Sequence, residues 1–106
     1  MTLADFLLQD GFDVLEAENA DEACQLFRAN PTIAALITDV RMPGTKDGFE
    51  LARGVAAARS HVRIFIMSGH TGTADTTLPP GAVFISKPFD HEKLIGRLKT
   101  ALANDD

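Results

Sequence analysis

The sequence predicts an α/β domain with a mostly parallel sheet and helices on both faces. Three observations predict it. Segments with helical spacing of apolar residues alternate along the chain with short strand-like segments. Two of the strand-like runs, Ile33 to Thr38 (IAALIT) and Val62 to Met67 (VRIFIM), are apolar almost throughout, as strands covered on both faces are. Gly, Pro, Asn or Asp punctuates the junctions. A chain of 106 residues suits one such hydrophobic core.

In order, Met1, Leu3, Phe6 and Leu7 fall at helical spacing, and Gly11 is a stop signal. Phe12 to Ala17 (FDVLEA) is short and partly alternating, which predicts a strand. Asn19, followed three residues later by Glu22, is a capping-box signature. The helix it opens turns Ala23, Leu26 and Phe27 inward and stops at Asn30-Pro31. After the strand Ile33 to Thr38, Arg41 to Gly48 is turn chemistry. An Ala-rich helix is then expected from Phe49 to about Arg59, with Leu51 and Val55 inward. The strand Val62 to Met67 follows. Ser68 to Gly81 is rich in Gly, Thr and Pro, with room for one helical turn near Ala74 to Leu78. Val83 to Ser86 is a last short strand, and Asp90 caps a final helix with Leu94, Ile95, Leu98 and Leu102 on one face.

Composition excludes several functions. At 45% hydrophobic and 24% charged, the chain is too apolar for intrinsic disorder. No run approaches the ~18 apolar residues of a membrane span. The N-terminus carries Asp5 and Asp10 but no basic residue, unlike a secretory signal. A net charge of -5 argues against coating nucleic acid. The single Cys24 excludes an intramolecular disulfide, reads as a small buried hydrophobe, and fits a reducing cytoplasm. His61, His70 and His91 show no metal-ligand spacing.

Open parallel sheets place their sites beyond the carboxyl ends of the strands. That rule gathers Asp39, Ser68 and Lys87 from three separate strand ends. A carboxylate, a small hydroxyl and a lysine at one rim suit phosphoryl chemistry. The carboxylate takes the phosphoryl group as an acyl phosphate, while the lysine and the hydroxyl neutralise its oxygens.

The motifs in this order resemble the receiver domain of two-component response regulators. They are ALITD ending in Asp39, Met42-Pro43, Asp47-Gly48, Ile66-Met67-Ser68-Gly69-His70 and Lys87-Pro88-Phe89. The resemblance runs essentially from residue 1 to residue 103, and it implies a flavodoxin-like, receiver-type sheet. It further implies that Asp39 is the phosphoacceptor, that Ser68 contacts the phosphoryl group, and that Lys87 is the site lysine. Phe84 falls at the aromatic switch position, and the Arg41 backbone carbonyl joins Asp39 as a metal ligand. The Lys87-Pro88 bond is expected to be cis. The resemblance implies Mg2+ as cofactor. Its partners would be a sensor histidine kinase or a histidine phosphotransfer protein, with no nucleic acid and no membrane.

Three departures from the family pattern stand out. The loop Gly44 to Gly48 is one residue longer than the commonest form, and a surface loop absorbs that. The short stretch from Ser68 to Lys87 reduces the family's fourth helix. The family's first strand, with the acidic pair that holds magnesium, is missing from this chain, a segment of about 15 residues counting strand and loop. Asp5, Asp10 and Glu16 do not replace that pair, so magnesium binding is expected to be weak or absent. The chain is thus expected to be one N-terminally truncated receiver domain over residues 1–106, with no output domain and no enzymatic activity of its own. A homodimer is one way to cover the gap in the sheet. The leading function is acceptance of a phosphoryl group on Asp39. The alternative is a pseudo-receiver, a protein-interaction module independent of phosphorylation. A small hydrolase working through an acyl phosphate lacks a general base.

Overall fold

The computed structural model describes residues 2–41, 44, 47–69, 79 and 81–103. Their order is α1 (Leu3–Gln9), α2 (Ala20–Ala29), β1 (Ala35–Asp39), α3 (Gly48–Ala58), β2 (Arg63–Ser68), β3 (Val83–Ser86) and α4 (His91–Ala103). The strands form one parallel sheet in the order β1-β2-β3. Side chains alternate across it. Leu36, Ile64 and Ile66 pack under α2 and α3 with Ala23, Phe27, Leu51 and Val55. Phe65, Met67 and Ile85 pack under α1 and α4 with Leu7, Leu94, Ile95 and Leu98. The two-residue period of a strand thus divides one apolar run between two helical layers.

Local chemistry sets the helix ends. Thr2 and Asp5 form a reciprocal capping box at the start of α1. Its end is a Schellman turn: Gly11, at φ 94°, donates to the Leu8 carbonyl, and Phe12 donates to the Leu7 carbonyl at 3.1 Å. Asn19 caps α2 by accepting from the Glu22 N–H at 2.8 Å. The Glu22 carboxylate reaches the Glu18 N–H at 3.2 Å, one residue earlier than the expected box would place it. At the start of α4, Asp90 accepts from the Glu92 N–H at 2.8 Å. The hydrogen bond to the Thr2 backbone holds the Asp5 carboxyl below its ordinary value of 3.8. A lowered carboxyl stabilises the fold above its unfolded value and loses that effect as pH falls through the folded one. Acid titration followed by amide exchange should therefore show α1 fraying at its N-terminus as the pH drops below ~4, while a Thr2→Ala variant frays at neutral pH.

A second cap comes from far along the chain. The guanidinium of Arg59, just past α3, donates to the carbonyls of Phe27 and Asn30 at the end of α2. Asn30 itself donates to the Leu26 carbonyl at 2.9 Å. The Phe27 and Asn30 carbonyls also accept from the backbone N–H groups of Asn30 and Ile33, and charge-assisted bonds added to them are worth about 1–2 kcal/mol when half-buried. Arg59→Met should lower the unfolding free energy by that amount, seen as a lower urea midpoint with an unchanged slope.

One expected element is corrected. Residues 12–17 are not a strand. The alternation that suggested one is real: Phe12 and Val14 are half-buried against the α1/α4 layer, whereas Leu15 is 53% exposed. A strand needs a neighbour's backbone as well as alternating side chains, and among the described residues this segment has none in the sheet. The other boundaries move by one or two residues: β1 begins at Ala35 and not Ile33, and α3 at Gly48 and not Phe49. Met1, the turn expected near Ala74 to Leu78, and with it the reduction of the family's fourth helix, lie outside the described residues.

Between residues 12–19 and the outer edge of β1 runs an open groove of about 810 Å³. Leu7, Leu98 and Leu102 line it from one helical layer, and Ala23, Phe27 and Leu51 from the other. It lies in the plane of the sheet, where a strand beside β1 would sit.

Candidate functional site

The carboxyl ends of β1, β2 and β3 lie side by side. Asp39 is registered opposite Met67, and Ser68 opposite Ser86. The ladder continues past the strands: Val40 N–H donates to the Met67 carbonyl at 3.0 Å, and Lys87 N–H donates to the Ser68 carbonyl at 2.7 Å. This places Asp39, Ser68 and Lys87 on one rim. The Lys87 ammonium spans it to form an ion pair with Oδ1 of Asp39. Both side chains are 41% exposed, so the pair is open to a ligand arriving from solvent. Ser68, at the end of the central strand, is buried. The Lys87-Pro88 bond is cis.

Each residue is there for a local reason. Asp39 ends β1 because alternation puts Leu36 and Thr38 on one face and leaves the polar end of the run at the rim. Ser68 ends β2 as a small polar residue in a strand that is otherwise buried. Lys87 follows β3 and reaches across β2 to β1. Phe84 packs half-buried on the α2/α3 side of the sheet. His70 and the Met42-Pro43 pair fall outside the described residues.

The rim can hold a negatively charged tetrahedral group, with Lys87 as a compact positive charge and Asp39 as nucleophile. Magnesium is a different matter. It takes near-octahedral oxygen coordination and gives up water reluctantly. Asp39 and Arg41 are among the residues lining the groove, and among the described residues no three His, Cys, Asp or Glu side chains form a metal-sized group. These residues do not by themselves fit a resident magnesium ion. Titration of the 106-residue chain should give weak binding; micromolar affinity would demand an acid from elsewhere.

One residue beside Asp39 has a part that sequence reading did not assign. Gly48 stands at the start of α3, directly behind β1, and its N–H donates to the Val40 carbonyl at 2.7 Å. The Asp47–Glu50 capping box at the same place was legible as a D-x-x-E pattern.

The chain is similar to known proteins over most of its length. The response regulator receiver domain family model matches residues 1–99. The chain is 36% identical over 87 residues to the transcriptional regulatory protein FixJ of Bradyrhizobium diazoefficiens, covering 77% of this chain and 42% of FixJ. It is 36% identical over 95 residues to a chemotaxis protein CheY homolog of Campylobacter jejuni, covering 85% of this chain and 72% of that protein. Among solved structures it resembles the receiver domain of NtrX from Brucella abortus, with a TM-score of 0.84 and 26% identity over 96% of this chain and 88% of that one. The chain thus spans less than half of FixJ. Among the described residues no helix is long and apolar enough to cross a membrane.

Proposed function

We infer function from the premise that this chain belongs to the response regulator receiver domain family, a family of regulatory modules in two-component signalling. The reading is that Asp39 accepts a phosphoryl group from a phosphohistidine on a sensor kinase or a phosphotransfer protein. The observation that carries it is the ion pair between Asp39 and Lys87 at the carboxyl edge of the sheet. An oxygen of the Asp39 carboxylate bonds to phosphorus as the phosphorus–nitrogen bond to the donor imidazole breaks. The imidazole leaves with the bonding pair and takes up a proton. The product is an acyl phosphate on Asp39. Lys87 then neutralises a phosphoryl oxygen, and Ser68 contributes a hydrogen bond to another. Phe84 is the aromatic side chain whose packing would follow the state of Asp39.

The groove beside β1 supports a further part of the reading. The domain is completed by an apolar strand seated between β1 and residues 12–17, as an N-terminally extended form of the chain would supply. Carboxylates at the end of that strand would meet Asp39 and the Arg41 carbonyl. They would complete the oxygen set that the present residues lack. The cytoplasm is the compartment that fits this chemistry, and no nucleic-acid contact is proposed for a chain of net charge -5.

Incubation with acetyl phosphate, a small phosphoryl donor, tests the reading. It should add about 80 Da, one phosphoryl group, to the protein, mapped to Asp39 and absent from Asp39→Asn. A folded protein that gains no such mass would be a pseudo-receiver, an interaction module without phosphoryl chemistry.

A further inference from the structure

Gly48 is buried at the N-terminus of α3, and its φ is not in the left-handed region, so its backbone does not require glycine. Space does. A Cβ on Gly48 would lie 2.0 Å from the Asp39 carbonyl oxygen, 2.8 Å from the Asp39 carbonyl carbon and 3.0 Å from the Val40 Cα. All three are backbone atoms, with no flexible side chain to move aside. The same Asp39 carbonyl accepts a hydrogen bond from the Thr38 hydroxyl at 2.9 Å. The peptide after Asp39 is therefore enclosed by Thr38 and Gly48, and the loop leaving it is closed by the bond from Gly48 N–H to the Val40 carbonyl. On its far side Val40 N–H is fixed to β2 through the Met67 carbonyl.

We propose that Gly48 is a positioning residue for Asp39. Its missing side chain lets the first turn of α3 rest directly on the Asp39–Val40 peptide, and this contact sets the direction of the Asp39 carboxylate toward Lys87. A methyl group at position 48 must displace either α3 or that peptide. The Asp39 Cα is one bond from the displaced carbonyl carbon, so its side chain turns with it. Displacements of this kind in a reacting group, near 1 Å, lower rates by about 100-fold. The proposal rests on the reading of Asp39 as acceptor, but the geometry it concerns can be read without phosphoryl transfer.

The test compares Gly48→Ala with Gly54→Ala, a control in the same helix where an added Cβ meets nothing within 4 Å. Two readouts are taken per folded molecule, below both melting temperatures. One is the maximal rate of Asp39 labelling by acetyl phosphate. The other is the yield of the Asp39–Lys87 amide formed by a zero-length carbodiimide, detected as loss of one water. Gly48→Ala should label about 100-fold more slowly at saturation, with its half-saturating concentration changed less than twofold, and should lose most of the cross-link. Gly54→Ala should match the parent in both. A purely structural role would lower the melting temperature of Gly48→Ala and leave both readouts per folded molecule within twofold of the parent, which would overturn the proposal. If Gly48→Ala does not fold, the parent decides. Cross-linking Asp39 to Lys87 should shift the Gly48 amide resonance well beyond that of Gly54, and equal shifts would overturn the proposal. A parent that cross-links but takes no phosphoryl group would reject the acceptor reading and leave the positioning readout in force.

Discussion

The isolated 106-residue chain should melt below about 60 °C, the upper part of the ordinary range for small domains, or should sediment as a dimer. The reason lies in the groove between β1 and residues 12–17. Ala35–Asp39 pairs with β2 along one edge. Its other edge faces the groove and, among the described residues, pairs with no strand; such an edge of alternating apolar residues invites another chain. The groove is apolar on both helical sides, so a strand placed in it would bury side chains in both directions. Five or six such side chains contribute about 8–15 kcal/mol by burial, as much as the whole stability of many domains. Extending the chain at its N-terminus by a loop and an apolar strand should therefore raise the melting temperature by about 20 °C or more and shift any dimer to monomer. Sedimentation and thermal unfolding of the two proteins check this. A monomeric 106-residue chain with one sharp transition above about 60 °C would show that the open edge is harmless.

Removal of the Lys87 charge should separate function from stability. Lys87→Met is expected to slow labelling of Asp39 by about 100-fold or more, because a fixed charge aimed at the transferring group acts where negative charge must be held. The same substitution should change stability by less than about 1 kcal/mol, the usual worth of a pair this open to water; both side chains are 41% exposed. Lys87→Arg should recover only part of the rate. The planar guanidinium keeps the charge but cannot present it as the compact ammonium does. Rates with acetyl phosphate and thermal melts on the same samples decide it. A Lys87→Met protein that labels within twofold of the parent would remove Lys87 from the site.

Much of this was legible in the sequence because the responsible physics is local. Gly11 reads as a helix stop, and it forms the left-handed turn that ends α1. Asn19 and Asp90 read as caps, and each accepts from its helix's first N–H groups. Apolar runs ending in Asp39 and Ser68 read as buried strands with polar ends, and the parallel sheet brings those ends together with Lys87. The sequence also carried the family's motifs in order, and membership in that family follows from a match over residues 1–99.

What sequence could not decide depends on partners distant along the chain. Residues 12–17 alternate as a strand does, yet pairing is a property of two backbones, and among the described residues no neighbour in the sheet completes it. Arg59 looks like an ordinary surface cation until its guanidinium is found on the last carbonyls of α2. Gly48 looks like a loop glycine beside Asp47, and only the packing of α3 against β1 shows that the Asp39 carbonyl occupies the space a Cβ would need. Side-chain type and spacing alone determined the helices, the buried strands and the identity of the rim residues. Tertiary structure decided which backbone edges found partners and how closely one element approaches another, because those quantities exist only once the segments are packed.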